Sequence, residues 1–248
     1  MRQPTPSNAN ANGKKLLRRR LQPPNKAEIG IASQRQVPLP LSYKGTRLDC
    51  GYRIDLLVEN CLPLELKVVA QILGIHEAQL MTYLRIGRFP LGLLINFQVA
   101  VLKQGIIRKT ETRIWNPPAD TSNLTVGRDE LTGSVIQAAI EVHRHIGPGI
   151  LPGAYLACLC HELSQHNMPF EKELKIPLLC DGEPLSCETE VPLLIHRELP
   201  VFPVSADSIT PVQTATAISR LRQGGWKRGL ILNFNTSTMA AGIKRVSL

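Results

Sequence analysis

Asp55, Glu65 and Lys67 are the residues of this chain whose types and spacing suit chemistry. Asp55 opens one apolar, strand-like run. Ten residues later Glu65-Leu-Lys67 sits in the next, beyond a turn at Asn60. Read as a hairpin centred on Asn60, the segment sets Asp55 opposite Glu65 and Arg53 opposite Lys67. Strand alternation puts Glu65 and Lys67 on one face, with Leu64 and Leu66 on the other. Two carboxylates and an ammonium on one face of an apolar hairpin are costly to desolvate without a task. Two hard oxygen ligands beside a lysine suit a Mg²⁺ (or Mn²⁺) site that activates water for phosphodiester cleavage. The spacing equally suits an exposed cross-strand ion pair, worth about 0–1 kcal/mol.

The elements that must position these residues occur twice. At an offset of 137, Pro40-Leu41 meets Pro177-Leu178, Cys50 meets Cys187 and Leu56-Leu57 meets Leu193-Leu194. Leu62-Pro63 meets Leu199-Pro200, Leu84-Arg85 meets Leu221-Arg222, and Asn96-Phe97 meets Asn233-Phe234. This reads as a tandem duplication. Apolar and turn positions are kept, whereas Asp55 becomes Pro192, Glu65 Phe202, Lys67 Val204, Gln79 Thr216 and Tyr83 Arg220. The scaffold therefore does without the charges, and the second copy is expected to fold without this chemistry.

The expected boundaries are a disordered basic tail over 1–27, copy one over 28–115, a linker over 116–127 and copy two over 128–248. In copy one, patterning predicts strands near 34–41, 47–58 and 62–69, a helix near 75–86 and a strand near 91–97. Copy two repeats these at the same offset, after helices near 129–145 and 154–165 that copy one lacks.

Composition narrows the function classes. The net charge is +9, but 1–27 holds seven basic residues and no acid, leaving 22 basic against 20 acidic residues in the body. The basic excess is a tail, able to bind phosphate backbones without sequence preference or simply to be solvated. No apolar run is long enough to span a bilayer, and the N-terminus has no signal-peptide pattern. A cytoplasmic protein without membrane attachment is expected. The six cysteines form no Cys-x-x-Cys pair and read as reduced and mostly buried. His76 and Glu77 read as a solvated pair at a helix start. Of His143 and His145, one faces the core and one solvent.

The residues resemble the PD-(D/E)XK nuclease superfamily and, within it, the bacterial proteins named for a GxxExxY motif. The resemblance runs through Arg35-Gln-Val-Pro-Leu-Pro40 and Arg47 to Glu59, then Glu65-Leu-Lys67 with Ile75-His-Glu-Ala-Gln79-Leu-Met-Thr-Tyr83, then Leu91 to Phe97. In copy two it includes Glu130 to His143 and Gly147-Pro-Gly149. It implies an α/β fold, a mixed central sheet flanked by helices as in restriction endonucleases. It implies that Asp55 and Glu65 bind the divalent metal and that Lys67 positions or deprotonates water or neutralises the developing charge. Gln79 and Tyr83 resemble a helical QxxxY motif that orients the site and contacts DNA. The name-giving glutamate is replaced: copy two reads Gly149-Ile-Leu-Pro152-Gly-Ala-Tyr155, and copy one lacks that helix. The implied partner is DNA, with RNA left open. Copy two's helices, from Asp129 to Gln165, suit covering copy one's sheet, within one chain or in a homodimer. A catalytically silent DNA-binding or protein-interaction module is the alternative to a nuclease.

Overall fold

The computed structural model describes residues 30–111, 129–180 and 183–248, with backbone alone at 179, 180, 184 and 185. The chain divides into two compact units, Met1–Arg113 and Ile114–Leu248. The expected tail and linker lie outside the described residues. Among the described residues, no helix is long and apolar enough to cross a membrane.

The first unit is built from strands β1 (Ser33–Pro38), β2 (Leu41–Tyr43), β3 (Thr46–Leu48), β4 (Arg53–Val58) and β5 (Leu62–Lys67). Helix α1 (Gly74–Gly87), β6 (Leu91–Asn96) and β7 (Ile106–Thr110) follow. Five strands form a mixed sheet ordered β1-β4-β5-β6-β7, with β5 and β6 parallel and the other neighbours antiparallel. The β4–β5 hairpin pairs Leu56 with Leu64 and Val58 with Leu62, which centres it on Asn60 as the spacing predicts. Glu59 and Asn60 both take left-handed backbone (φ 49° and 56°), and the Cys61 N–H donates to the Val58 carbonyl at 3.0 Å. Two consecutive left-handed residues match the twist of the flanking strands. The expected strand 47–58 is broken. Gly51 is left-handed and its N–H donates to Asp49 Oδ1 at 2.9 Å, so a local turn divides β3 from β4.

Helix α1 crosses from β5 to β6 and buries Leu80, Thr82, Tyr83 and Leu84 against the sheet. Leu80 and Leu84 pack with Leu94, while Tyr83 packs with Leu39, Ile54 and Leu57. Asn96 fastens the crossover: its Nδ2 donates to the Val69 carbonyl (2.8 Å) and its Oδ1 accepts from the Val69 and Gln98 N–H groups (3.1 and 3.2 Å). Gly105 passes so close to this corner that a Cβ there would strike the Asn96 carbonyl oxygen and lie 2.9 Å from Val99 Cγ2. Gly105→Ala is expected to lower the first unit's stability by about 1–3 kcal/mol, because backbone must yield. Urea unfolding of the full chain checks this.

The second unit comprises α2 (Glu130–Ile146), α3 (Pro152–Gln165), β8 (Phe170–Cys180), β9 (Glu183–Ile195) and β10 (Leu199–Val204). Then come α4 (Pro211–Gly224), β11 (Arg228–Asn233), α5 (Met239–Gly242) and β12 (Ile243–Ser247). Its sheet runs β12-β11-β10-β9-β8 and repeats the first unit's registers at the offset of 137. Leu64↔Leu93 recurs as Val201↔Leu230, Leu91↔Thr110 as Arg228↔Ser247, and Ser33↔Val58 as Phe170↔Ile195. Asn233 repeats the Asn96 clasp on Ala206, at 3.1 and 2.7 Å. In each unit a final edge strand, β7 or β12, extends the sheet beyond the elements that patterning predicts.

Helices α2 and α3 have no counterpart among the described residues of the first unit. Asp129 caps α2 by accepting from the Thr132 N–H at 2.8 Å and pairs with Arg228 at 2.7 Å. Partial desolvation opposes its ionisation, but the Thr132 hydrogen bonds and then the charges of Arg228 and Arg245 outweigh it, lowering its pKa. Tyr155 is fully buried, stacked on Phe234 with ring centroids 4.4 Å apart, and its hydroxyl donates to the Gly147 carbonyl at 2.7 Å. His143 faces the core and donates from Nε2 to the Thr236 carbonyl at 2.8 Å, while His145 is exposed.

Burial holds the His143 pKa below its ordinary 6.5. The unfolded chain therefore takes up a proton first as pH falls, so this contribution to stability is present above about 6.5 and lost below it. Unfolding free energy measured at about pH 7.5 and 5.5 is expected to drop more for the wild type than for His143→Gln.

Candidate active site

Asp55 enters the site from β4, Glu65 and Lys67 from β5, and Gln79 and Tyr83 from α1. Residues 63, 65 and 67 share the sheet face on which α1 lies, and α1 presents Gln79 and Tyr83, one turn apart, to the strand. The contacts form a chain. Lys67 Nζ lies 2.6 Å from Glu65 Oε1 and donates to Gln79 Oε1 at 2.7 Å. Gln79 Nε2 donates to the Tyr83 hydroxyl at 2.6 Å. Asp55 accepts from the Leu66 N–H on Oδ2 at 3.0 Å and from Gln36 Nε2 on Oδ1 at 3.1 Å.

The cluster is deeply placed, with Glu65 at 0%, Lys67 at 4% and Asp55 at 6% exposure. This differs from an exposed hairpin ion pair, and it raises the energetic stakes of every charge in the group.

Gln36 escapes sequence reasoning. It has left-handed backbone (φ 53°) and sits opposite Asp55, between the Arg35↔Leu56 and Val37↔Ile54 pairs. The second unit keeps the same backbone at Glu173 (φ 53°), opposite Pro192. The backbone feature is thus common scaffold, while the side-chain pair belongs to the first unit alone. In sequence Gln36 differs from its counterpart Glu173 no more than its neighbours differ from theirs, so only the ladder opposite Asp55 marks it.

At the corresponding place in the second unit, the Arg220 guanidinium lies 5.7 Å from the Phe202 ring centroid. Its Nε donates to Thr189 Oγ1 at 3.1 Å, and burial lowers its pKa. An aromatic and a cation stand where the first unit has a carboxylate and a tyrosine.

The other sequence candidates lie elsewhere. Glu77 pairs with Lys109 at 2.5 Å, and His76 Nδ1 accepts from the Leu73 N–H at 3.1 Å at the start of α1. Cys158 and Cys160 are buried in α3, and burial pushes the Cys160 thiol up to about 11, despite Lys172 nearby. The expectation that the cysteines are mostly buried is corrected: Cys61 and Cys187 are exposed and Cys50 is intermediate. Cys61 lies at the hairpin turn, which points it outward. Burial and the charge of Asp49 raise the Cys50 thiol to about 11.

Among the described residues, no group of three or more His, Cys, Asp or Glu gathers to hold a metal. The carboxylates that the hairpin offers there are Asp55 and Glu65. That set still fits Mg²⁺ or Mn²⁺, because Mg²⁺ is commonly held through one or two carboxylates and keeps several waters.

No curated protein and no solved structure matches the chain. A family model does: that of the PD-(D/E)XK nuclease superfamily matches residues 25–109 and 129–246. The match falls on both units and spans the hairpin, α1 and the strands beyond it. The mixed sheets with helices packed on them agree with a restriction-endonuclease-like fold. The chain belongs to the PD-(D/E)XK nuclease superfamily.

Proposed function

We propose that the first unit is a divalent-metal-dependent nuclease that hydrolyses phosphodiester bonds in DNA, and that the second is its duplicate without that chemistry. The observation that carries this reading is the buried cluster Asp55, Glu65–Lys67–Gln79–Tyr83, which the same scaffold lacks in the second unit. Charges that a scaffold does not need, kept together where they are expensive to bury, point to function.

Asp55 and Glu65 would hold the cation. A bound Mg²⁺ or Mn²⁺ supplies a more acidic water and neutralises charge developing on the phosphate. The Leu66 N–H and Gln36 fix the Asp55 carboxylate. Lys67 is held between Glu65 and Gln79, where its ammonium can orient water or meet a phosphate oxygen. Tyr83 sets the rotamer of Gln79 and through it the position of Lys67. The family-level likeness to GxxExxY proteins and the QxxxY-like helix favour DNA as partner, acted on in the cytoplasm.

The test incubates the full chain with linear and single-stranded DNA and Mg²⁺ or Mn²⁺, beside Asp55→Ala and Lys67→Ala. Cleavage by the wild type that both variants lose supports the proposal. Equal cleavage by all three, or none by any, removes it and leaves a silent nucleic-acid- or protein-binding module.

A further inference from the structure

The two units treat one face of the same sheet differently. Opposite α4 in the second unit, Ile195, Leu199, Val201, Leu230, Leu232 and Phe234 are each at most 1% exposed. Helix α3 packs over β10 there, α2 packs on α3 and α5, and Tyr155 of α3 stacks on Phe234.

The first-unit counterparts are Val58, Leu62, Leu64, Leu93, Ile95 and Phe97. All six are apolar and all six are only half-buried. Leu102, the counterpart of Met239, goes from 2% exposed in the second unit to 45% in the first. Among the described residues of the first unit, the α-helix present, α1, packs on the other face.

This face has kept its apolar character while Asp55, Glu65, Lys67, Gln79 and Tyr83 all differ between the units. A half-covered sheet face of this size, flanked by the exposed polar Arg35, Arg108 and Thr110, has the apolar centre and polar rim of an interaction surface. The charge at the edge of this face is basic: the exposed Arg108 stands beside Leu93 in the β6–β7 ladder. In the second unit a basic residue, Arg228 (Leu91 in the first), likewise pairs with Asp129 at the start of α2.

We propose that this face of the first unit is a docking site for an amphipathic helix pair of a partner chain, with apolar residues toward β5 and β6 and an acidic helix start toward Arg108. A second copy laid face to face fits less well, because Arg35 and Arg108 edge the sheet on both sides and would meet like charges.

The probe is a synthetic peptide of residues 129–167, the chain's own helix pair, titrated onto the full-length protein and followed by fluorescence anisotropy. One peptide is expected to bind per chain, with affinity falling more than about 100-fold for Leu64→Glu/Leu93→Glu and several-fold for Arg108→Glu. A tethered form, with 129–167 fused ahead of Gly30, removes dependence on the free peptide's own helicity. There the fusion should slow hydrogen exchange at the β5 and β6 amides, and should not do so in Leu64→Glu/Leu93→Glu. Absence of both effects, or binding unchanged by the substitutions, overturns the proposal. So does a concentration-dependent dimer of the unmodified chain that Leu64→Glu/Leu93→Glu breaks, which would assign the face to a second copy. The outcome is read without DNA cleavage, and strand alternation puts Leu64, Leu93 and Arg108 on the sheet face opposite Glu65 and Lys67.

Discussion

Lys67→Met alone is expected to cost the first unit about 3–5 kcal/mol, and Glu65→Leu/Lys67→Met together to recover most of that loss. The single change removes the ammonium that stands 2.6 Å from a carboxylate at 0% exposure. The double change replaces a buried pair with apolar residues of similar volume, and such exchanges are often neutral or stabilising. The second unit supports this directly, because Phe202 and Val204 occupy the same strand positions in an otherwise shared sheet. Hydrogen exchange at the β4–β5 amides reads the first unit separately from the second. If the double variant is as unstable as the single one, the pair is structural and the functional argument weakens with it.

Cleavage should not follow stability. Lys67→Met and Glu65→Leu/Lys67→Met are both expected to lower the rate at least about 100-fold, whatever their stability. Gln36→Leu is expected to lower it about 10–100-fold, since it removes one of the hydrogen bonds that orient the Asp55 carboxylate and leaves the one from the Leu66 N–H. Gln36 acts on Asp55 through a hydrogen bond of 3.1 Å, so raising the Mn²⁺ concentration should partly restore Gln36→Leu and leave the Lys67 variants unchanged. A rate loss in Gln36→Leu that no metal concentration relieves would contradict its role as a positioning residue.

Much of this could be read from the residues. Alternation around Asn60 set the register of the β4–β5 hairpin, because acid, apolar and turn residues there all agree on one pairing. The repeat separated scaffold from site: Asn96 and Asn233 make the same clasp, whereas Asp55 and Pro192 share a register and nothing else. Three features were not legible. The Asp49-Cys50-Gly51 turn is a local side-chain-to-backbone contact inside an apparently continuous strand pattern. The edge strands β7 and β12 carry polar residues on their exposed sides, as edges often do, which blurs their period. Gln36 has no chemical signature of its own and matters through what lies across the ladder from it. The burial of the charged cluster was also invisible, since spacing cannot distinguish an exposed hairpin face from one roofed by α1.

The central claim is that Asp55 and Glu65 were kept to hold a cation. Mn²⁺ binding to the full chain, followed by electron paramagnetic resonance, tests it without requiring a substrate. The account predicts one bound Mn²⁺ per chain, displaced by excess Mg²⁺ and lost in Asp55→Ala and in Glu65→Gln. No bound Mn²⁺, or binding that persists undiminished in both variants, would contradict it.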